Sequence, residues 1–193
     1  MILYRIAVTV CYPVFWVLYQ IRIRGRENVP QDAAVICCNH TSLLDPVLLA
    51  LVFGPRHPLR FMAKKELFEN PFLGRILKWV GAFPVDRGTA DLGTIRTSLE
   101  LLKSGHRVGI FPEGKRVRPG EEQDGDVKTG IAMIAARAGV PLIPVYLSRH
   151  KRVFRKTLVV IGTPISAALK EGTKAENYQR IAGEVFDTIR TLG

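Results

Sequence analysis

From Ile6 to Tyr19 nearly every position is apolar, and the run widens to Ile2–Ile21, about 20 residues, roughly 30 Å as a helix. Arg5 near one end and Pro13 in the middle favour a shallow or re-entrant insertion over a straight span. Arg22, Arg24 and Arg26 follow at once, where an anionic cytoplasmic leaflet attracts them, and Trp16, Tyr4, Tyr12 and Tyr19 suit an interface. Residues 1–26 are therefore expected to form a membrane-anchoring helical segment, and residues 27–193 one globular domain on the cytoplasmic face. An amphipathic core helix is the competing reading; a cleaved signal peptide lacks its small-x-small site.

Beyond Arg26 the pattern changes to short apolar runs alternating with helical periodicity. Strands are expected at Ala33–Cys38, Leu59–Ala63, Ala82–Val85, Val108–Phe111, Leu142–Leu147 and Thr157–Ile161. Helices are expected at Val47–Val52, Pro71–Val80, Leu92–Leu102, Val127–Ala138 and Ala175–Leu192, the last with Tyr178, Ile181, Val185, Phe186 and Ile189 on one face. Ser42 is read as a helix cap ahead of Asp45 and Pro46. Residues 117–126, rich in Gly, Pro and acids, read as a loop. The alternation implies an α/β fold, a largely parallel or mixed sheet flanked by helices, with the N-terminal membrane-associated helix attached.

Composition narrows the partners. A formal net charge of +11 over 193 residues favours anionic ones, and basic residues spread over many segments disfavour nucleic acid. Cys11, Cys37 and Cys38 have neither disulfide nor metal-ligand spacing, and the four histidines are scattered, so no metal is expected. Cys37 and Cys38 lie in an apolar strand without an adjacent cation and read as packing residues.

Two strand ends carry candidate chemistry. His40 and Asp45, spaced H-x-x-x-x-D, follow the strand ending at Cys38; an imidazole there takes a proton from a hydroxyl while the carboxylate fixes its tautomer. Phe111-Pro112-Glu113-Gly114-Lys115-Arg116 follows another strand and offers a carboxylate, a flexible glycine and two cations suited to a phosphorylated substrate. A solvated charged turn is the plain alternative. Gly109 to Lys115 also fits G-x-x-x-x-G-K, but Arg116 stands where a nucleotide-binding loop carries Ser or Thr, so nucleotide hydrolysis is set aside. Arg87 and Lys128 are further candidate phosphate ligands.

Four blocks in order resemble the glycerolipid acyltransferase family, which includes bacterial lysophosphatidic acid acyltransferases. They are Asn39 to Pro46, Gly81 to Gly88, Phe111 to Arg116 and Val140 to Val145. The third departs from the family's usual Phe-Pro-Glu-Gly-Thr-Arg-Ser, with Lys115 for the threonine and Val117 for the serine. The resemblance implies a 1-acyl-sn-glycerol-3-phosphate acyltransferase of phospholipid biosynthesis, moving a fatty acyl group from coenzyme A or acyl carrier protein thioester to lysophosphatidic acid and making phosphatidic acid. It implies His40 as base, Asp45 as its orienting partner, and Arg87, Glu113, Gly114, Lys115, Arg116 and Lys128 as substrate-binding residues. The thioester is a co-substrate and no cofactor is implied; anionic membrane lipid is the expected surface. Oxyanion donors are expected among backbone N–H groups near the His40 helix. A glycerol-3-phosphate acyltransferase, a lipid esterase and a non-catalytic lipid-binding protein are the alternatives.

Overall fold

A computed structural model describes residues 2–56, 58–79, 81–85, 92–113 and 129–193. Within them the chain runs α1 (Ile2–Tyr19), β1 (Arg22–Arg24), β2 (Val35–Cys38), α2 (Asp45–Phe53), β3 (Leu59–Lys64), α3 (Pro71–Trp79), β4 (Phe83–Val85), α4 (Leu92–Lys103), β5 (Arg107–Ile110), α5 (Gly130–Ala138), β6 (Leu142–Leu147), β7 (Leu158–Ile161) and α6 (Lys174–Thr191). Short 3-10 turns at Arg26–Asn28 and Lys65–Phe68 were not foreseen from sequence. The expected loop 117–126 and the start of the helix expected from Val127 lie outside the described residues.

The strands form one seven-stranded sheet in the order β1-β7-β6-β2-β5-β3-β4. The run from β6 to β4 is parallel, with β2 at its centre between β5 and β6. β7 joins β6 antiparallel, and β1 pairs parallel with β7, so the sheet is mixed. All four residues of β2 and of β5 are buried, as expected of parallel strands covered on both faces.

Alternation of side chains builds two apolar layers. Val35, Cys37, Val108, Ile110 and Leu142 face α4, α5 and α6, meeting Leu102, Ile131, Ile134, Ile181 and Val185. Ile36, Cys38, Leu59, Phe61, Ile143 and Val145 face α2, meeting Leu48, Leu49, Val52 and Phe53. α1 lies over α2, where Tyr4 and Val8 pack on Leu51, and the Tyr4 hydroxyl accepts the Leu59 N–H at 3.3 Å.

β1 is the element that hydrophobic pattern alone did not reveal. Its sequence, Arg22-Ile23-Arg24, carries too little apolar signal to read as a strand, and its pairing partner Leu158–Val160 lies far along the chain. The last part of segment 1–26 therefore belongs to the sheet, and the helix itself stops at Tyr19. Gly25 follows with φ 72°, and a Cβ there would run into the Ile161 carbonyl, so the turn requires glycine.

Candidate active site

β2 delivers Asn39 and His40 to the carboxyl edge of the parallel strands, where open α/β sheets place their sites. Asn39 is buried and pinned: its Nδ2 donates to the Leu147 carbonyl at 2.9 Å and its Oδ1 accepts the Leu147 N–H at 2.8 Å. This side-chain pair carries the β2–β6 ladder one step past the strand end and fixes the backbone that bears His40.

His40 is buried against three neighbours. Its Nδ1 lies 2.9 Å from Asp45 Oδ2, its backbone N–H donates to Glu113 Oε2 at 2.9 Å, and its ring stacks on Phe111 with centroids 4.1 Å apart. Phe61 stacks behind Phe111 at 6.3 Å. A Cβ at Gly109 would approach Phe61 Cε1 to 2.6 Å, so that glycine makes room for the ring. Gly109 pairs with Ile36 and Phe61 inside β5, which is why its glycine-lysine spacing is not a phosphate loop.

Asp45 opens α2, followed by Pro46 in the first turn, so its charge sits at the favourable end of the helix dipole. It is fully buried, and Oδ2 accepts the N–H groups of Thr41 and Ser42 at 2.7 Å each in addition to the His40 contact. Oδ1 meets the Lys151 ammonium at 2.7 Å. Burial by itself raises this carboxyl's pKa. The hydrogen bond from His40, the Lys151 ion pair and the Ser42 N–H outweigh burial and hold the carboxyl below its ordinary value. An ionised Asp45 accepts, so His40 Nδ1 carries the proton and Nε2 is the basic nitrogen.

One expectation changes here. Ser42 is not the cap of α2: Leu44 holds that position without a side-chain bond, and Ser42 Oγ accepts the Leu44 N–H at 3.2 Å. The carboxylate that follows, Asp45, takes the backbone donors that a preceding cap would leave. Several of the N–H groups near the His40 helix, where oxyanion donors are expected, already have partners. Those of His40, Thr41, Ser42 and Leu44 are engaged by Glu113, Asp45 and Ser42.

The described residues bring together His40, Asp45 and Glu113; Arg87, Gly114, Lys115, Arg116 and Lys128 lie outside them. Sequence reasoning missed Lys151, Asn39 and Phe111. Asn39 and Phe111 belong to blocks already singled out and border His40 and Glu113, whereas Lys151 has no such signal. Burial raises the pKa of the Cys37 and Cys38 thiols, which stay neutral. Among the described residues no group of three or more His, Cys, Asp or Glu side chains gathers as a metal site would require.

A buried His–Asp pair at a strand edge, with a ring wall beside it, is equipped for proton transfer from a hydroxyl. A family model described as acyltransferase matches residues 20–148. The 1-acyl-sn-glycerol-3-phosphate acyltransferase of Bacillus subtilis (strain 168) is 37% identical over 154 residues, covering 77% of this chain and 75% of its own length. A probable enzyme of the same name from Mycoplasma pneumoniae is 36% identical over 163 residues, 72% of this chain and 59% of its own. The crystal structure of the 1-acyl-sn-glycerophosphate (LPA) acyltransferase PlsC from Thermotoga maritima shares the fold, with TM-score 0.69, 24% identity, and coverage of 98% of this chain and 78% of that one. The chain belongs to the acyltransferase family, enzymes that transfer acyl groups.

Proposed function

We propose that the chain is a 1-acyl-sn-glycerol-3-phosphate acyltransferase, converting lysophosphatidic acid and an acyl thioester to phosphatidic acid. The carrying observation is the 2.9 Å contact between His40 Nδ1 and Asp45 Oδ2 at the end of β2, in a chain whose relatives bear that name. Nε2 of His40 takes the proton of the lysolipid's 2-hydroxyl as its oxygen attacks the thioester carbonyl. The tetrahedral oxyanion collapses, the carbon–sulfur bond breaks, and the imidazolium returns its proton to the departing thiolate. Asp45 stabilises the imidazolium between those steps. No acyl-enzyme forms, in keeping with the neutral buried thiols of Cys37 and Cys38.

In this reading Arg87, Arg116 and Lys128 bind the acceptor phosphate, with Gly114 and Lys115 as weaker candidates. Glu113 organises that pocket and fixes the His40 backbone. The acyl donor is coenzyme A or acyl carrier protein thioester.

α1 is long and apolar enough to cross a membrane, with mean hydropathy 1.6 over its 18 residues. It anchors the enzyme to the cytoplasmic face through a stripe that the protein leaves uncovered: Leu3, Ile6, Val10, Val14 and Val17. Beside its end, exposed Val153 and Phe154 stand among Arg152, Arg155 and Lys156, and the Phe154 N–H donates to the Leu18 carbonyl at 2.6 Å. Apolar tip and flanking cations together suit an anionic lipid surface. A lipid acceptor then reaches the site from the bilayer.

The test is transfer by purified protein in vesicles, offering labelled acyl thioester with lysophosphatidic acid or glycerol 3-phosphate in parallel. Phosphatidic acid from the lysolipid is expected, with kcat lower by about 10³-fold in His40→Ala. Product from glycerol 3-phosphate alone moves the enzyme one acylation earlier, and release of free fatty acid alone makes it an esterase. Near wild-type turnover in His40→Ala would remove the proposed base.

A further inference from the structure

Lys151 is the group at the site that the mechanism above does not use. Its side chain is 2% exposed, its ammonium meets Asp45 Oδ1 at 2.7 Å, and it also donates to Thr41 Oγ1 at 2.7 Å. A lysine buried this deeply is costly unless its charge is matched, and here the match is the carboxylate that also holds His40. The two oxygens of Asp45 divide the work: Oδ2 takes His40 Nδ1 and two backbone N–H groups, while Oδ1 takes the ammonium.

We propose that Lys151 is a positioning residue that acts through Asp45, offsetting the carboxylate's charge so that Asp45 orients His40 and leaves it free to serve as a base. This rests on the acyltransferase reading. A buried carboxylate beside a histidine favours imidazolium, and an imidazolium cannot accept the acceptor's proton. An ammonium on the opposite oxygen weakens that pull while keeping Asp45 ionised and in place.

Among the described residues, the groups around the pair do not supply this balance. Glu113 from the segment after β5 adds negative charge at the His40 N–H, and Cys38 of β2 stays neutral because burial, then the Asp45 carboxylate, push its thiol well up. Arg149 and His150, beside Lys151 in sequence, are exposed, and Arg149 turns its carbonyl toward the Thr41 hydroxyl at 3.5 Å. Phe111 covers the imidazole with an uncharged ring. Among the described residues, Lys151 is thus the cation seated on the pair.

Removing the ammonium has one direction of effect by either route. If Asp45 stays ionised, it holds the proton on His40; if Asp45 takes up a proton, it no longer stabilises the imidazolium. Both move the acid limb of the kcat/KM profile to higher pH.

The experiment compares that profile for wild type, Lys151→Met and Lys151→Arg with lysophosphatidic acid in anionic vesicles, where the substrate phosphate titrates alike in all three and cancels. In Lys151→Met the acid limb is expected to move up by about one pH unit, lowering kcat/KM about tenfold at the foot of the profile and recovering at its alkaline end. Lys151→Arg keeps the charge and retains the wild-type limb. Thr41→Val, which removes the hydroxyl that steers Nζ but strands no charge, serves where Lys151→Met does not fold, and its limb moves the same way by less. A lowered plateau with an unmoved limb, in whichever of these two folds, overturns the proposal and leaves Lys151 a purely structural ion-pair partner. Wild-type protein inactive on every acceptor would sink the acyltransferase reading instead.

Discussion

α1 and α6 are both 18 residues long, yet they dispose of their apolar side chains in opposite ways. α6 buries Ile181, Ala182, Val185 and Ile189 against the sheet and turns Arg180, Glu184, Asp187 and Arg190 to water. Its N-terminus is closed by a capping box, in which Thr173 Oγ1 accepts the Glu176 N–H at 3.3 Å and Glu176 Oε2 accepts the Thr173 N–H at 2.8 Å. α1 buries Tyr4 and Val8 and leaves Val10 and Val17 at 63% and 65% exposure, with no acidic residue in its first turn and no basic one in its last. One helix matches its apolar area to the core; the other carries more than the protein can cover. Apolar area left in water costs about 25 cal/mol per Å², and this surplus is what supports the proposed membrane attachment.

Three variants test that contrast, from the largest effect to the smallest. Val185→Asp places a charge in the layer between α6 and the sheet, and chemical denaturation should show a loss above about 4 kcal/mol or no folded protein at all. Val10→Glu together with Val17→Glu should leave the melting temperature within about 2 °C of wild type and reduce partitioning into anionic vesicles about tenfold or more. Unchanged partitioning would mean that α1 is a soluble-protein helix after all. Thr173→Ala should lower Tm by about 2–4 °C. Backbone and side-chain hydrogen bonds with Thr173 hold the Glu176 carboxyl below its ordinary value. A depressed carboxyl contributes stability above its unfolded pKa and loses it as pH falls through the folded one, so only the share of the Thr173→Ala penalty that comes from the hydroxyl's bond to that carboxyl should fade in acid.

The site shows the same division between what neighbours in sequence reveal and what they hide. His40 and Asp45 stand five residues apart across a single strand-to-helix turn, so the contact between them follows from local geometry once β2 and α2 are recognised. Glu113 was singled out for its loop of charges, but it accepts the His40 backbone N–H, from a partner 73 residues away that no charge pattern indicates. Ser42 misled because Ser ahead of an Asp-Pro pair has the composition of a cap; its Oγ accepts the Leu44 N–H, but Leu44 itself holds the cap position and α2 begins only at Asp45. β7 reads as a strand from its apolar run, but its antiparallel direction depends on the path of residues 148–157, which spacing does not specify.

What this sequence determined alone is everything that repeats or recurs over a few residues: the alternation of strands and helices, the apolar excess of the first 20 or so positions, the His40–Asp45 spacing and the ordered family blocks. The tertiary structure alone decided which distant groups meet. Lys151 reaches Asp45 and Thr41, Asn39 locks onto Leu147, and β1 finds β7, over separations of more than 100 residues. The reason is physical: periodicity and capping follow from local backbone geometry, whereas a buried lysine or a three-residue edge strand is held by a partner that only the packed chain brings within reach.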